Sequence, residues 1–138
     1  MTVSNEGSTS YSNANLAPKS VDFVGALKGA FSKYATFKGR ASRSEFWFYA
    51  LYYFSLLAIL FFGATESTGV LALIGLVAIL ASVIPFFSVM VRRLHDTGKS
   101  GWWYWISVIP FGGFVVIYFL SEEGEAKDNA YGPAQVSV

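Results

Sequence analysis

Residues 69 to 91 read GVLALIGLVAILASVIPFFSVMV, a run without a single charged side chain. At about 1.5 Å per residue, a helix of that length crosses the roughly 30 Å hydrocarbon core of a bilayer with room for tilt. Two more uncharged runs flank it: FWFYALYYFSLLAILFFGAT over residues 46 to 65 and GWWYWISVIPFGGFVVIYFL over residues 101 to 120. The 138-residue chain is 54% hydrophobic and 14% charged, where soluble domains carry about a quarter charged residues. Apolar residues exceed what one small core consumes, and the charges gather between the runs. The reading is an all-α integral membrane protein of one domain.

Working outward, Ser42-Arg43-Ser44-Glu45 has capping-box spacing ahead of the first run, which predicts a span over about 44–65. Glu66, Ser67 and Thr68 mark a short turn, so the second span, about 69–92, returns antiparallel. Within it Gly75, Ala78, Ser82 and Pro85 recur at helical spacing and form a stripe that another helix can approach closely, and Pro85 is a candidate kink. The third run, 101–120, reads as a span kinked at Pro110, Gly112 and Gly113, with a re-entrant hairpin as the alternative. Trp47, Trp102, Trp103 and Trp105 stand at span ends, where amphipathic rings anchor at headgroup level.

Upstream, residues 21 to 35 set Val24, Leu27, Phe31 and Tyr34 on one helical face, with Lys28 and Lys33 off it. This predicts an amphipathic helix, lying in the membrane interface or packed on the protein itself. The expected organisation is a flexible polar tail over 1–20, a helical membrane domain over 21–120 made of the interfacial helix and three transmembrane helices, and an acidic flexible tail over 121–138. The first twenty residues lack the apolar core of a cleavable signal.

Lys28, Lys33, Lys38, Arg40 and Arg43 precede the first span, and Arg92, Arg93 and Lys99 lie between the second and third. Because cytoplasmic loops carry the excess of Lys and Arg, this distribution places the N-terminus inside and, with three spans, the C-terminus outside. The net charge of +1 gives no basis for a nucleic-acid partner. With no cysteine and one histidine, the chain offers neither a metal site nor a thiolate nucleophile, and no cofactor is expected.

Two stretches are distinctive: KYATFKGRASRSEFW at 33 to 47 and RRLHDTGKSGWW at 92 to 103, followed by IPFGG at 109 to 113 and DNAYG at 128 to 132. In order and spacing, from Val21 to Pro133, they resemble the small bacterial inner-membrane proteins of the YhaH type, the domain of unknown function 805 family. The resemblance implies a multi-pass protein of the bacterial cytoplasmic membrane and assigns no activity.

The topology brings Lys38, Arg40, Arg43, Arg92, Arg93 and Lys99 toward one membrane side, with Glu45, His95 and Asp96 among them. Arginine holds phosphate in a bidentate fork, so the cluster is a candidate site for anionic lipid headgroups or another phosphate-bearing ligand. Basic flanks also serve only to set orientation, and a third possibility pairs Arg40 or Arg43 with Asp96 and Arg92 or Arg93 with Glu45, clamping one loop on the other. His95 beside Asp96 admits an acid–base reading, against which stands a hydrogen-bonded turn with Gly98 in a left-handed position. The functional expectation is a non-enzymatic membrane module whose partners are the phospholipid bilayer, anionic lipid, and a second copy or another membrane protein. A subunit of a transport assembly is the alternative, with a membrane-bound enzyme behind it.

Overall fold

The computed structural model describes residues 19–63 and 69–135. The tail expected over most of 1–20, the turn around Glu66 and the last three residues lie outside the described residues. Four α-helices and one 3-10 helix follow in order: α1 (Phe23–Ser32), α2 (Arg43–Gly63), α3 (Gly69–Asp96), a 3-10 helix (Gly101–Val108) and α4 (Gly112–Ser121). Among the described residues, α2 and α3 alone are long and apolar enough to cross a membrane.

The two long helices run antiparallel. Leu60 faces Gly75, Tyr49 donates to the Ser82 carbonyl at 3.1 Å, Tyr53 stacks on Phe86 at 4.8 Å, and Glu45 meets Arg92 at 2.8 Å. Small residues of α3 supply the approach: a Cβ on Gly75 would sit 3.0 Å from Leu60, and Ser82 and Pro85 are buried. Pro85 has no N–H to give the carbonyl four residues back, which is that of Ala81. Tyr34, on the segment leaving α1, donates its hydroxyl to that carbonyl at 2.6 Å. A long-range side chain thus satisfies the acceptor that proline orphans inside an apolar helix, as a bilayer requires.

Helix α1 begins where the Asp22 carboxylate accepts from the Gly25 amide at 2.7 Å. It packs on the protein: Ala26 and Ala30 are fully buried, Phe23 meets Phe48 edge-on, and Phe31 meets Tyr49 and Tyr52. Its closing carbonyls are held from α3, where the Ser88 hydroxyl lies within 3.0 Å of Lys33 O and 2.7 Å of Thr36 O.

The third apolar run does not form one span. Its eight-residue 3-10 helix rises roughly 16 Å and its ten-residue α4 roughly 15 Å, so neither leg reaches across a bilayer. The chain reverses at Pro110-Phe111, with Phe111 in the left-handed region at φ 65°. Gly112 lets the legs touch, because a Cβ there would lie 1.7 Å from the Ile106 carbonyl oxygen. Trp103 meets Phe119, and Lys99 lies 4.5 Å over the Phe119 ring, so the hairpin starts and ends at one level. In place of the single kinked helix expected over 101–120, the run forms two short helices that meet across the turn at Pro110-Phe111.

This reversal also sets the course of the segment downstream. The segment after α4 returns to the end of α3 that carries Arg92 and Arg93, where Arg93 meets Leu120 O and Glu122 O. Residues 121–135, expected as part of a flexible acidic tail, make backbone contacts with the rest of the chain: Glu125 N donates to Asp96 O at 2.8 Å, Asn129 and Gly132 form an isolated bridge, and Lys19 N donates to Gln135 O at 2.8 Å.

Candidate functional site: a buried arginine cluster at the charged end

The site forms where the loop before α2, the end of α3 and the segment after α4 converge. Helix α3 runs one turn past its apolar stretch and closes on Gly98, in the left-handed region at φ 75°. Lys99 N donates to Leu94 O at 3.0 Å and Gly98 N to His95 O at 3.0 Å, the paired bonds of a Schellman closure. The Asp96-Thr97-Gly98 turn expected from the sequence is therefore formed.

Asp96 lies at the centre. Arg40 Nε donates to its Oδ1 at 2.8 Å, while Arg93 Nη1 engages its Oδ2. All three side chains are nearly inaccessible, at 0% for both arginines and 4% for Asp96. Arg40 spends its other donors on carbonyls: Nη1 faces Lys127 O and Gly132 O, and Nη2 faces Asp96 O and Glu125 O. Its five N–H groups thus all find protein acceptors. Arg93 reaches Leu120 O through Nε at 3.0 Å and Glu122 O through Nη2. A Cβ on Gly124 would fall 2.0 Å from Asp96 Oδ2, so glycine is what lets the returning backbone lie against the carboxylate.

Beside this trio, Arg92 Nη1 donates to Glu45 Oε1 at 2.8 Å under cover of α1, where a Cβ on Gly29 would stand 3.4 Å from the same oxygen. Arg92 Nε and Nη2 have no partner. The expected capping box forms by half: the Glu45 amide donates to the Ser42 hydroxyl oxygen at 3.3 Å, but the Glu45 carboxylate turns to Arg92. Ala41 N donates to Arg92 O at 3.0 Å and fixes the loop in register with α3.

His95 does not face a catalytic carboxylate. Its Nδ1 lies 3.0 Å from Gly39 O, which the left-handed turn at Gly39 (φ 89°) presents, and its ring stacks flat on Tyr131 at 3.9 Å. Asn129 Nδ2 donates to His95 O at 2.9 Å. Among the described residues no group of three His, Asp or Glu stands together as metal donors.

The six basic residues expected to act together divide. Arg40, Arg92 and Arg93 are buried and occupied by Asp96, Glu45 and carbonyls. Lys99 pairs with Glu122 at 2.6 Å, Arg43 lies 3.6 Å from Glu123 with 42% of its side chain exposed, and Lys38 is exposed. Both pairings of the clamp alternative form, Arg40 with Asp96 and Arg92 with Glu45. The sequence reading missed the acceptors on the returning segment, Leu120, Glu122, Glu125 and Lys127, because they act through backbone carbonyls that no side-chain pattern announces. Trp47, Trp102, Trp103 and Trp105, the expected interface anchors, are all surface-exposed.

Comparison with known proteins places this architecture. Residues 34–133 match the sequence model of the family described as "Protein of unknown function (DUF805)". The chain is 34% identical over 106 residues to the inner membrane protein YhaH of Escherichia coli, covering 72% of this chain and 87% of that one. It is equally 34% identical over 100 residues to the inner membrane protein YhaI of the same organism, covering 72% of this chain and 85% of that one. No solved structure matches.

Proposed function

The chain belongs to the DUF805 family, and from that premise we propose a non-enzymatic module of the bacterial inner membrane that presents a rigid basic rim to anionic headgroups. Both relatives are named inner membrane proteins. The observation that carries the reading is the division of labour among the basic residues. Arg40, Arg92 and Arg93 act inward, holding the loop, α3 and the returning segment as one block. Lys28, Lys33, Lys38 and Arg43 remain at the surface of that block.

In this reading α2 and α3 are the two spans, the hairpin dips into the leaflet and returns, and the Lys and Arg excess puts the charged end in the cytoplasm. Both termini then lie inside. Helix α1, with exposed Phe23, Val24 and Phe31 beside exposed Lys28, lies at the interface while its alanines pack inward. Each basic group near an anionic leaflet contributes about 1 kcal/mol.

The test of headgroup binding is native mass spectrometry of protein released from membranes. Native chain should retain phosphatidylglycerol over phosphatidylcholine, and a Lys38→Ala/Arg43→Ala variant should lose that preference. Equal retention by both would remove the reading. Sidedness is tested separately in this cysteine-free chain: Lys38→Cys and Ala134→Cys should both resist an impermeant thiol reagent added to spheroplasts, and labelling of the second alone would restore a C-terminus outside.

A further inference from the structure

A cavity of about 740 Å³ opens along α3 on the face away from the buried aspartate, within the roughly 300–1,000 Å³ typical of small-molecule sites. Ile84, Phe87, Val91 and His95 form its floor at steps of three, four and four, so the groove follows one face of α3. At about 1.5 Å per residue it runs roughly 16 Å from the charged end toward the bilayer interior. Phe37 walls one side and Trp102 and Trp105 of the hairpin wall the other.

No charged side chain lines this groove, which sets it apart from the basic rim and disfavours a phosphate inside it. Its polar lining side chains are Ser100, Tyr104 and His95, the last only 8% exposed and held on several sides. A carbonyl only accepts, so Nδ1 must carry the proton it shares with Gly39 O, and the neutral ring then offers Nε2 as an acceptor. One ring face is covered by Tyr131, and Nε2 has no partner among the described residues. As a lining residue, His95 has that acceptor to offer a ligand in the groove.

We propose that this groove holds the chain of a long-chain lipid whose head is an uncharged hydroxyl, donating to Nε2 of His95. The apolar length along α3 takes the chain, the aromatic walls flank it, and the absence of cations selects a neutral head. The proposal rests on the membrane placement of α3 and the hairpin and is independent of headgroup binding at the rim.

Trp102 and Trp105 supply the readout. Full-length protein in phosphatidylcholine nanodiscs is titrated with a brominated long-chain alcohol, with its methyl ether, and with brominated phosphatidylglycerol, following tryptophan quenching. The alcohol should quench saturably at concentrations roughly threefold to tenfold below the ether, the value of one hydrogen bond. Ile84→Phe, which fills the floor without touching His95, should abolish saturable quenching by both while leaving thermal unfolding unchanged. His95→Phe keeps a ring for Tyr131 and should equalise alcohol and ether; if that variant does not fold, the alcohol–ether ratio of the native chain still decides. Equal quenching by alcohol and ether, phosphatidylglycerol quenching that Ile84→Phe abolishes, or alcohol quenching indifferent to Ile84→Phe would each overturn the proposal.

Discussion

The two halves of the α2–α3 pair are stabilised by different physics. Toward the charged end, α2 buries Glu45, Phe46, Tyr49 and Ala50, and α3 buries Ser88 through Met90 and Arg92 through Asp96. Beyond Ala50 in α2 and before Ile79 in α3 no described residue is buried. There Ile59, Phe61, Phe62 and Val70 point outward, with Phe61 76% exposed. A soluble protein does not tolerate an apolar surface so continuous. In lipid, such residues gain nothing from burial against another helix, so association must come from close packing and polar contacts. The fold therefore concentrates its specificity at one end and leaves the other to the solvent it lives in.

The most severe way to break this contrast is Asp96→Asn. The change keeps the shape of the side chain but removes the charge shared by Arg40 and Arg93, leaving two buried cations without a counter-ion. Loss of one partner from a buried pair costs about 3–5 kcal/mol. Thermal unfolding in mild detergent should show a large drop, whereas Leu73→Ala, on the outward face of the far half, should leave the midpoint nearly unmoved. Comparable losses at both positions would mean that stability is spread evenly along the pair.

Next in size is Gly112→Ala. Its Cβ would meet the Ile106 carbonyl oxygen at 1.7 Å, and a backbone atom cannot yield as a flexible side chain does. Overpacking of this kind costs about 1–3 kcal/mol and here opens the hairpin. Limited proteolysis should cut the variant after Val108 faster than native chain. Gly113→Ala, whose Cβ meets nothing within 4 Å, is the control and should be silent.

The same contrast explains what was legible in the sequence. The span-length helices α2 and α3 are written in uncharged length, which the sequence displays directly. The clamp pairs are legible as alternatives because opposite charges fall in two loops that topology brings together. The hairpin was harder: Pro110, Gly112 and Gly113 are compatible with a kink or a reversal, and the choice depends on Trp103 finding Phe119 and on Arg93 finding carbonyls beyond α4. The ordering of 121–135 was invisible for a related reason. A polar, turn-rich segment has no core of its own, yet here it supplies carbonyls to Arg40 and a ring to His95.

A smaller effect sharpens the comparison within α3. Tyr34→Phe removes the hydroxyl that serves Ala81 O, leaving an acceptor unmet at about 1–3 kcal/mol. If the cause is the missing N–H of Pro85, then Pro85→Ala restores an internal donor and the tyrosine becomes dispensable. A double-mutant cycle on unfolding free energy should show strong coupling, with Tyr34→Phe far less costly in the Pro85→Ala background. Additive losses would mean that Tyr34 acts only through packing.

The smallest expected effect lies in the same motif as one of the largest. Arg40 and Arg43 stand three residues apart, yet the first has no exposed side-chain surface and the second 42%. The Arg43–Glu123 pair spans 3.6 Å between exposed groups and is screened by solvent, so an interaction of its kind contributes about 0–1 kcal/mol. Arg43→Ala should therefore shift the unfolding midpoint little, and that shift should shrink further at high salt. Arg40→Ala should be severe and insensitive to salt, because it strands the Asp96 side of a buried network. Composition cannot separate these two arginines; only the returning segment does, by covering one and leaving the other at the surface. Equal sensitivity of both to substitution and salt would show that burial under that segment does not distinguish the inward arginines from the rim.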